Sequence, residues 1–159
     1  MTATSASISR STPPPAVLKI MNAVVTFMVG RGWGAASERL MILHWTGRKT
    51  GLSYSTPVSR FELNGTIFTK TRAPYKANFR GGGPAELVLD GTRSAFIGTA
   101  IEDAHVVASR MRRVLDDLGP SKGARALGLR IEGDPTVEEL AAFAAADGLV
   151  VIDFEPAAE

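Results

Sequence analysis

The chain has no cysteine and only two histidines among its 159 residues. The absence of cysteine excludes a disulfide scaffold, a thiolate metal site and a cysteine nucleophile, and it is compatible with a reducing cytoplasm. His44 and His105 lie far apart in the sequence, which argues against a histidine-based metal site. We therefore expect no metal, and few side chains are available for acid–base or nucleophilic catalysis.

The chain also lacks a long uninterrupted hydrophobic run. Its most apolar segment, residues 16–29, is interrupted by Lys19, Asn22 and Thr26, which fall on one narrow stripe of a helix. A membrane span needs roughly 20 apolar residues, and no signal-peptide pattern is evident. We expect a cytoplasmic protein whose amphipathic helix over 16–29 covers an apolar groove of its own domain, or else contacts a membrane surface peripherally.

Charge is distributed unevenly along the chain. Residues 1–80 carry eleven Lys/Arg against two Asp/Glu, a net charge of +9, whereas residues 81–159 carry seven against fourteen, a net charge of −7. The positive first half favours an anionic partner such as nucleic acid, a phosphorylated cofactor or an anionic lipid. Mutual neutralisation of the two halves in the folded protein is the alternative.

The order of sequence patterns predicts an α+β domain. Residues 1–15 are rich in Ser, Thr and Ala and end in three prolines, which predicts a disordered tail before a single domain over 16–159. Short runs rich in β-branched and aromatic residues follow the first helix. The predicted strands cover 40–45, 54–63, 66–70, 86–89, 93–101 and 149–154, and two later helices cover 102–119 and 137–146. This pattern favours a β-barrel or a strongly curled sheet.

Two turns and one proline refine this prediction. Asn64-Gly65 and Asp90-Gly91 are hairpin dipeptides that favour primed turns, so the strands that they join are antiparallel. Pro57 lacks a backbone N–H and places its strand at a sheet edge or a bulge.

The segment TGRKTG, residues 46–51, has the parts of an anion site. Its glycines allow backbone N–H groups to form a concavity, Thr46 and Thr50 add hydroxyls, and Arg48 and Lys49 supply charge. It is not a P-loop, because an arginine precedes the lysine where that motif requires glycine. A solvated hairpin is the alternative. His44, just before this segment, is expected to be packed or hydrogen-bonded, and contact with a cofactor or substrate is the alternative. Trp45 is expected to pack at the end of the barrel, and stacking on a ligand is the alternative.

A second cationic cluster occupies residues 69–83 and includes two interleaved aromatic residues. Its cations are Lys70, Arg72, Lys76 and Arg80, and its aromatics are Tyr75 and Phe79. Cations mixed with aromatics suit an anionic ligand that also has a flat ring, and single-stranded nucleic acid fits that description too.

The stretches LMILHWTGRKTGLSYSTPV, TKTRAPYKANF and GGGPAELVLDG resemble the deazaflavin-dependent nitroreductase family of actinobacteria, within the split β-barrel flavin and deazaflavin oxidoreductases. The likeness covers residues 17–118 and depends mainly on the TGRKTG segment. It implies an antiparallel, FMN-binding-like split β-barrel with the N-terminal amphipathic helix and two later helices. It also implies 8-hydroxy-5-deazaflavin, coenzyme F-420, in a groove beside the barrel, with FMN as the alternative cofactor.

The resemblance implies cofactor contacts from three stretches of the chain. These contacts are Arg48, Lys49, Thr50 and Gly51 for the phosphate and acidic tail, Pro57 and Val58 along the groove, and Thr71, Arg72, Tyr75 and Asn78 beyond it. The hydroxyls of Thr71 and Tyr54 are candidate catalytic groups that hydrogen-bond the acceptor or relay a proton. Tyr54 stands where the family commonly has arginine, and the family's substrate-wall tyrosines have no counterpart in 119–133.

The implied function is hydride transfer from reduced F-420 to an electron-poor small molecule such as a quinone, enone or nitro compound. The cofactor supplies the difficult chemistry in such enzymes, which accounts for the few acid–base candidates. No nucleic acid is expected as a partner of this enzyme. Two alternatives stay open, an FMN-binding split-barrel protein and a non-enzymatic module for lipid, haem or nucleic acid. The resemblance leaves a homodimer and a monomer equally open.

Overall fold

A computed structural model describes residues 6–10 and 40–157. The predicted N-terminal helix over 16–29, together with its groove-covering or membrane-contacting role, lies outside the described residues. The described residues divide into two compact units. One contains residues 6–10 and 101–150, and the other contains residues 40–100 and 151–157.

Nine strands and four helical segments make up the described chain. In chain order they are β1 (Ser7–Arg10), β2 (Leu40–Thr46), β3 (Ser53–Ser59), β4 (Phe61–Leu63), β5 (Thr66–Thr71), a 3₁₀ helix (Pro74–Phe79), β6 (Gly83–Leu89), β7 (Thr92–Ile101), α1 (Ala104–Leu118), α2 (Pro120–Ala126), β8 (Leu129–Glu132), α3 (Val137–Asp147) and β9 (Val150–Pro156). The predicted strands correspond to observed strands to within three residues, with the segment 54–63 divided into β3 and β4.

A seven-stranded sheet in the order β3-β2-β6-β7-β9-β5-β4 forms the larger unit. The β2–β3, β2–β6, β6–β7 and β4–β5 pairs are antiparallel. Strands β3 and β4 occupy opposite edges, yet only Arg60 separates them in the sequence. A flat sheet would hold these edges about 29 Å apart, because neighbouring strands lie about 4.8 Å apart. One residue spans at most about 3.6 Å. The sheet therefore curls, and the prediction of an α+β fold with a curled, mainly antiparallel sheet is confirmed.

One face of the curled sheet carries its hydrophobic core. Alternate residues of β2, among them Met41 and Leu43, face this core together with alternate residues of β6, as the two-residue period of a strand requires. The 3₁₀ helix joins the same core through Phe79, whose ring packs edge-on against Phe154 at a centroid distance of 6.3 Å. The core cluster consists of Met41, Leu43, Val58, Phe79, Ala85, Leu87, Phe96, Ile152 and Phe154.

Both hairpin predictions and the edge-strand prediction are confirmed. The φ angles of Asn64 and Gly65 are 51° and 82°, and those of Asp90 and Gly91 are 51° and 83°. Positive φ at both central residues is typical of a primed turn of type I′. Pro57 lies in β3, an edge strand of the sheet. Edge strands tolerate a residue that lacks a backbone N–H.

The smaller unit contains both predicted later helices, observed as α1 and α3, and a third helix that the sequence pattern did not predict. The additional helix is α2, which begins at Pro120 and contains Gly123. A Cβ at residue 123 would lie 2.9 Å from the Leu115 Cα atom, so glycine permits close packing of α2 on α1. The same glycine lowers the local helix propensity, which is why the sequence pattern did not reveal the helix. No helix within the described parts of the chain combines the length and apolar character that crossing a membrane requires.

Strand β1 lies within the segment 1–15, for which the sequence predicts disorder. It pairs with β8 from Ser7 opposite Glu132 to Arg10 opposite Leu129. Before it, the Ala6 backbone N–H donates a hydrogen bond of 2.8 Å to Glu139 Oε2. These partners lie more than 100 residues away along the chain, so no local pattern could indicate them. The rest of the predicted tail lies outside the described residues.

We predict that Gly98→Ala destabilises the larger unit. A Cβ at residue 98 would lie 2.8 Å from Phe79 Cδ1 and 3.0 Å from Phe154 Cε1. Such overpacking costs about 1–3 kcal/mol in the free energy of unfolding. The control is Ser94→Ala at an exposed position of the same strand, where a change below about 0.5 kcal/mol is expected. Equal midpoints of urea denaturation for the two variants would contradict the prediction.

Candidate functional site

The loop that joins β2 to β3, residues 47–52, is here called the cationic loop. It is closed by hydrogen bonds of 2.9 Å from the Gly47 N–H to the Leu52 carbonyl and from the Gly51 N–H to the Gly47 carbonyl. Residue 47 has no room for a side chain, because a Cβ there would lie 2.6 Å from Thr50 Oγ1 and 3.0 Å from the Tyr54 ring. The loop is thus a compact turn, on which the Lys49 side chain is exposed.

Arg48 connects the cationic loop to the 3₁₀ helix and the residues after it. Its backbone N–H donates a hydrogen bond of 2.8 Å to Asn78 Oδ1. Its guanidinium donates to the carbonyl oxygens of Arg80 at 2.9 Å, Gly82 at 2.8 Å and Ala77 at 3.4 Å. The structure therefore brings together the two cationic clusters of the sequence. The guanidinium, expected to bind an anion, is occupied by backbone carbonyl groups.

Three aromatic rings in contact beside the cationic loop are here called the aromatic stack. Trp45 stacks on Tyr54 at a centroid distance of 5.4 Å and an interplanar angle of 20°. It contacts Tyr75 in a tilted arrangement at 4.7 Å and 37°. Trp45 also packs against the core cluster, as expected for a packing role. The Tyr54 hydroxyl lies 3.0 Å from Thr50 Oγ1. The aromatic stack and the cationic loop are therefore contiguous.

A hydrogen-bond network connects four of the residues that the resemblance implied. Thr71 Oγ1 accepts a bond of 3.0 Å from the Ala73 N–H, and the Thr71 hydroxyl shares a hydrogen bond with the Tyr75 hydroxyl. Burial raises the pKa of Tyr75, and the bond to Thr71 partly opposes that effect. Asn78 Nδ2 donates a bond of 2.9 Å to the Tyr75 carbonyl, while its Oδ1 accepts from Arg48. Thr71 is only 9% exposed, Tyr75 and Asn78 are half-buried and Arg48 is exposed, so the network runs from the interior to the surface.

A groove of about 340 Å³ begins where the cationic loop joins the sheet. Trp45 and Tyr54 contribute aromatic surface to it, and Thr46 and Ser53 contribute hydroxyl groups. Ile97, 41% exposed, adds apolar surface on the β7 side. The groove thus combines flat apolar walls with hydrogen-bonding groups, which is typical of small-molecule sites.

A charged cluster lies on another wall of this groove. His44 in β2 is paired with Glu86 in β6, and Arg93 Nε donates a hydrogen bond of 2.6 Å to Glu86 Oε2. Hydrogen bonds from Arg93 lower the pKa of Glu86. Burial, and then the Arg93 charge, lower the pKa of His44 from its usual 6.5, against the opposing effect of Glu86. His44 is therefore predominantly neutral at pH 7. The opposite charges of the neighbouring Glu86 and Arg93 balance each other.

The structure does not bring Pro57 and Val58 to the groove. Val58 is buried in the core cluster and pairs with Met41, whereas the half-buried Pro57 pairs with Ile42. Both residues lie in the half of β3 that is distant from the cationic loop. Arg72 is half-buried directly after β5.

Among the site residues that the resemblance implied, Tyr54 alone lines the described groove. Glu86 and Arg93 also line it, and the sequence did not indicate them as site residues. Their proximity to His44 depends on strand register, which the sequence pattern did not specify. Within residues 6–10 and 40–157, no three His, Asp or Glu side chains are grouped as a metal site would require. The arrangement suits recognition of a flat, hydrogen-bonding ligand.

Comparison of the chain with models of protein families and with curated proteins gave no match.

We predict that His44 makes stability pH-dependent. Because its pKa in the folded protein lies below 6.5, the unfolded chain binds the proton more tightly. The contribution of His44 to stability is fully present above pH 6.5 and is lost as the pH falls through the folded-state pKa. His44→Gln removes this contribution. The difference in unfolding free energy between wild type and variant should therefore shrink as the pH falls from about 7.5 to 5. Urea denaturation at both pH values measures it, and parallel pH profiles would contradict the prediction.

Proposed function

We propose that the protein binds reduced coenzyme F-420 and transfers a hydride to an electron-poor organic acceptor, as the motif resemblance implies. The observation that carries this proposal is the contiguity of positive charge and flat aromatic surface. Lys49 is exposed on the cationic loop, Thr50 of the same loop lies 3.0 Å from the Tyr54 hydroxyl, and Tyr54 stacks on Trp45. A ligand with an anionic tail and a flat ring requires both features.

The topology supports assignment of the larger unit as a split β-barrel. Its edge strands β3 and β4 are joined through Arg60 alone, so the curled sheet approaches closure. A closed or nearly closed sheet protects its edges. The cationic loop then lies at the end of two neighbouring strands, β2 and β3, where a rigid sheet holds it in place.

The residues present fit the anionic part of the cofactor. Lys49 supplies an exposed ammonium group, and Thr50 supplies a hydroxyl beside it. Gly51 has a φ of 69° and open space where a Cβ would stand, so a ligand can approach the backbone closely there. We assign Lys49, Thr50 and Gly51 to the phosphate and acidic tail. Arg72 remains a candidate from the second cluster.

The residues present also fit the ring. Tyr54 and Trp45 offer aromatic surface at the groove, and Thr46 and Ser53 offer hydroxyls for the polar edges of a deazaflavin. When bound, the reduced deazaflavin supplies the hydride, and the protein contributes orientation and exclusion of water. FMN has the same ring shape and a phosphate, so it is the second candidate cofactor.

The two candidate catalytic hydroxyls, those of Tyr54 and Thr71, differ in solvent exposure. Tyr54 is 39% exposed and lines the groove, so its hydroxyl can donate a hydrogen bond to an acceptor oxygen on which negative charge develops. Thr71 is 9% exposed and is hydrogen-bonded to Tyr75 and Ala73. We therefore retain Tyr54 as the candidate catalytic residue and propose that Thr71 positions Tyr75 within the aromatic stack. This separation could not be made from the sequence.

We predict tighter binding of reduced F-420 than of FMN, because the cationic loop and the second cluster match the longer polyanionic tail. Fluorescence titrations of the purified protein with the two cofactors measure the affinities. Equal affinities or a preference for FMN would favour an FMN-binding protein. Salt-dependent binding to a single-stranded oligonucleotide, with binding of neither cofactor, would instead identify a nucleic-acid module.

We predict that Lys49→Gln weakens binding of reduced F-420 about tenfold or more, because a hydrogen bond to a charged group contributes about 1.5–3 kcal/mol. The dependence of affinity on salt concentration should also become shallower. Lys122→Gln, at an exposed position of the other unit, removes the same charge and is the matched control. Equal affinities of the two variants would show that Lys49 does not contact the cofactor. Stability should change by less than about 0.5 kcal/mol in both.

A further inference from the structure

We infer that Arg48 is a positioning residue that holds the cationic loop in its binding shape, while the adjacent Lys49 supplies the charge that contacts an anionic ligand. The two neighbouring cations thus have different roles. The ligand half of this inference rests on the proposed function. The half that concerns loop order applies to the free protein and can be tested without any ligand.

The geometry of the guanidinium supports this role. Its two terminal nitrogens point in a fork at the Arg80 and Gly82 carbonyl oxygens, at 2.9 and 2.8 Å, with the Ala77 carbonyl further away at 3.4 Å. Arg80 ends the 3₁₀ helix and Gly82 follows it, so the two short bonds hold the turn directly after the helix. The Ala77 carbonyl, inside the helix, also accepts from the Arg80 N–H at 3.4 Å. Arg48 therefore fastens the carboxyl end of the helix and the turn after it to the cationic loop. A lysine ammonium has the charge but not the planar fork.

The backbone of Arg48 is attached to the same helix. Its N–H donates to Asn78 Oδ1 at 2.8 Å, and Asn78 Nδ2 donates to the Tyr75 carbonyl at 2.9 Å. The next residue, Phe79, is fully buried in the core. The cationic loop is thus connected to the hydrophobic core through Arg48 and Asn78, and its position follows that of the helix.

Gly83 provides an independent indication that this contact is built into the fold. A Cβ at residue 83 would collide with the Asn78 carbonyl oxygen and would lie 3.3 Å from Arg48 Nη2. A side chain at this position would therefore displace the segment that receives the guanidinium. The third of the glycines at 81–83 therefore leaves space for Arg48.

This contact lowers the entropic cost of ligand binding to the glycine-bracketed loop. Ordering a flexible loop on binding costs conformational entropy, which subtracts from the affinity. Arg48 restricts the cationic loop before the ligand arrives. Because the partners of Arg48 are uncharged carbonyls, its positive charge is not neutralised by them and still raises the potential around Lys49.

The experiment compares three variants of the full chain. Arg48→Lys keeps the charge and loses the fork, Arg48→Gln loses both, and Lys49→Gln loses a charge but keeps the contact with the 3₁₀ helix. Hydrogen–deuterium exchange of peptides covering 45–53 and 74–83 is measured in the free protein. We expect both Arg48 variants to exchange about tenfold faster or more in these peptides, since local opening becomes easier. Lys49→Gln should exchange as wild type does.

Titration with reduced F-420 at several salt concentrations tests the ligand half. We expect Arg48→Lys to bind roughly tenfold more weakly with an unchanged salt dependence, because a hydrogen-bonded positioning contact is lost while the charge stays. Lys49→Gln should show the shallower salt dependence. Wild-type exchange and wild-type affinity in Arg48→Lys, together with weak binding in Arg48→Gln, would overturn the inference, because Arg48 would then act through its charge alone.

Asn78→Ala provides the second variant if substitution of Arg48 prevents folding. It removes the amide that joins the loop to the helix and leaves every cation in place. Faster exchange in 45–53 supports the inference, and unchanged exchange contradicts it. If the wild-type protein does not bind reduced F-420, the proposed function fails, whereas the exchange data still decide whether Arg48 orders the loop.

Discussion

The curl of the sheet is the constraint on which the rest of the larger unit depends. Strands β3 and β4 lie at opposite edges of seven strands and are separated in the sequence by Arg60 alone. The sheet must therefore curl until its edges approach one another, and one face of it becomes the core. Phe79 enters that core from the 3₁₀ helix. This places the turn after the helix where Arg48, in the cationic loop, can reach the Arg80 and Gly82 carbonyl groups.

The candidate site follows from this arrangement. Each of its components is ordinary by itself, since exposed lysines, cross-strand aromatic pairs and arginine contacts to backbone carbonyls occur in many proteins. Here the contact to the segment after the 3₁₀ helix and the exposed charge of the loop come from adjacent residues, Arg48 and Lys49. The loop is joined to the aromatic stack through Thr50 and Tyr54. Charge, flat surface and rigidity therefore coincide at one end of the sheet. Such a site can recognise a cofactor without supplying strong acid–base groups of its own.

Local patterns predicted the elements better than they predicted the contacts. The hairpins at Asn64-Gly65 and Asp90-Gly91 were predictable because positive φ is a local property of those residues. The edge position of Pro57 was predictable because it depends on a missing N–H. Helix α2 was missed because Gly123 disfavours a helix locally and is required by contact with Leu115. Strand β1 was missed because β8, its partner, lies more than 100 residues further along the chain.

The sequence by itself determined the curled antiparallel fold class, the turns and the accumulation of positive charge in residues 1–80, because strand periodicity, turn chemistry and charge are carried by neighbouring residues. Only the tertiary structure decided what the site residues do. It directed Arg48 to backbone carbonyls, buried Val58 in the core, and set Glu86 and Arg93 beside His44. These outcomes depend on strand register and on the packing of a helix 30 residues away from the loop. Such long-range contacts depend on the curl of the whole sheet, so no local pattern encodes them.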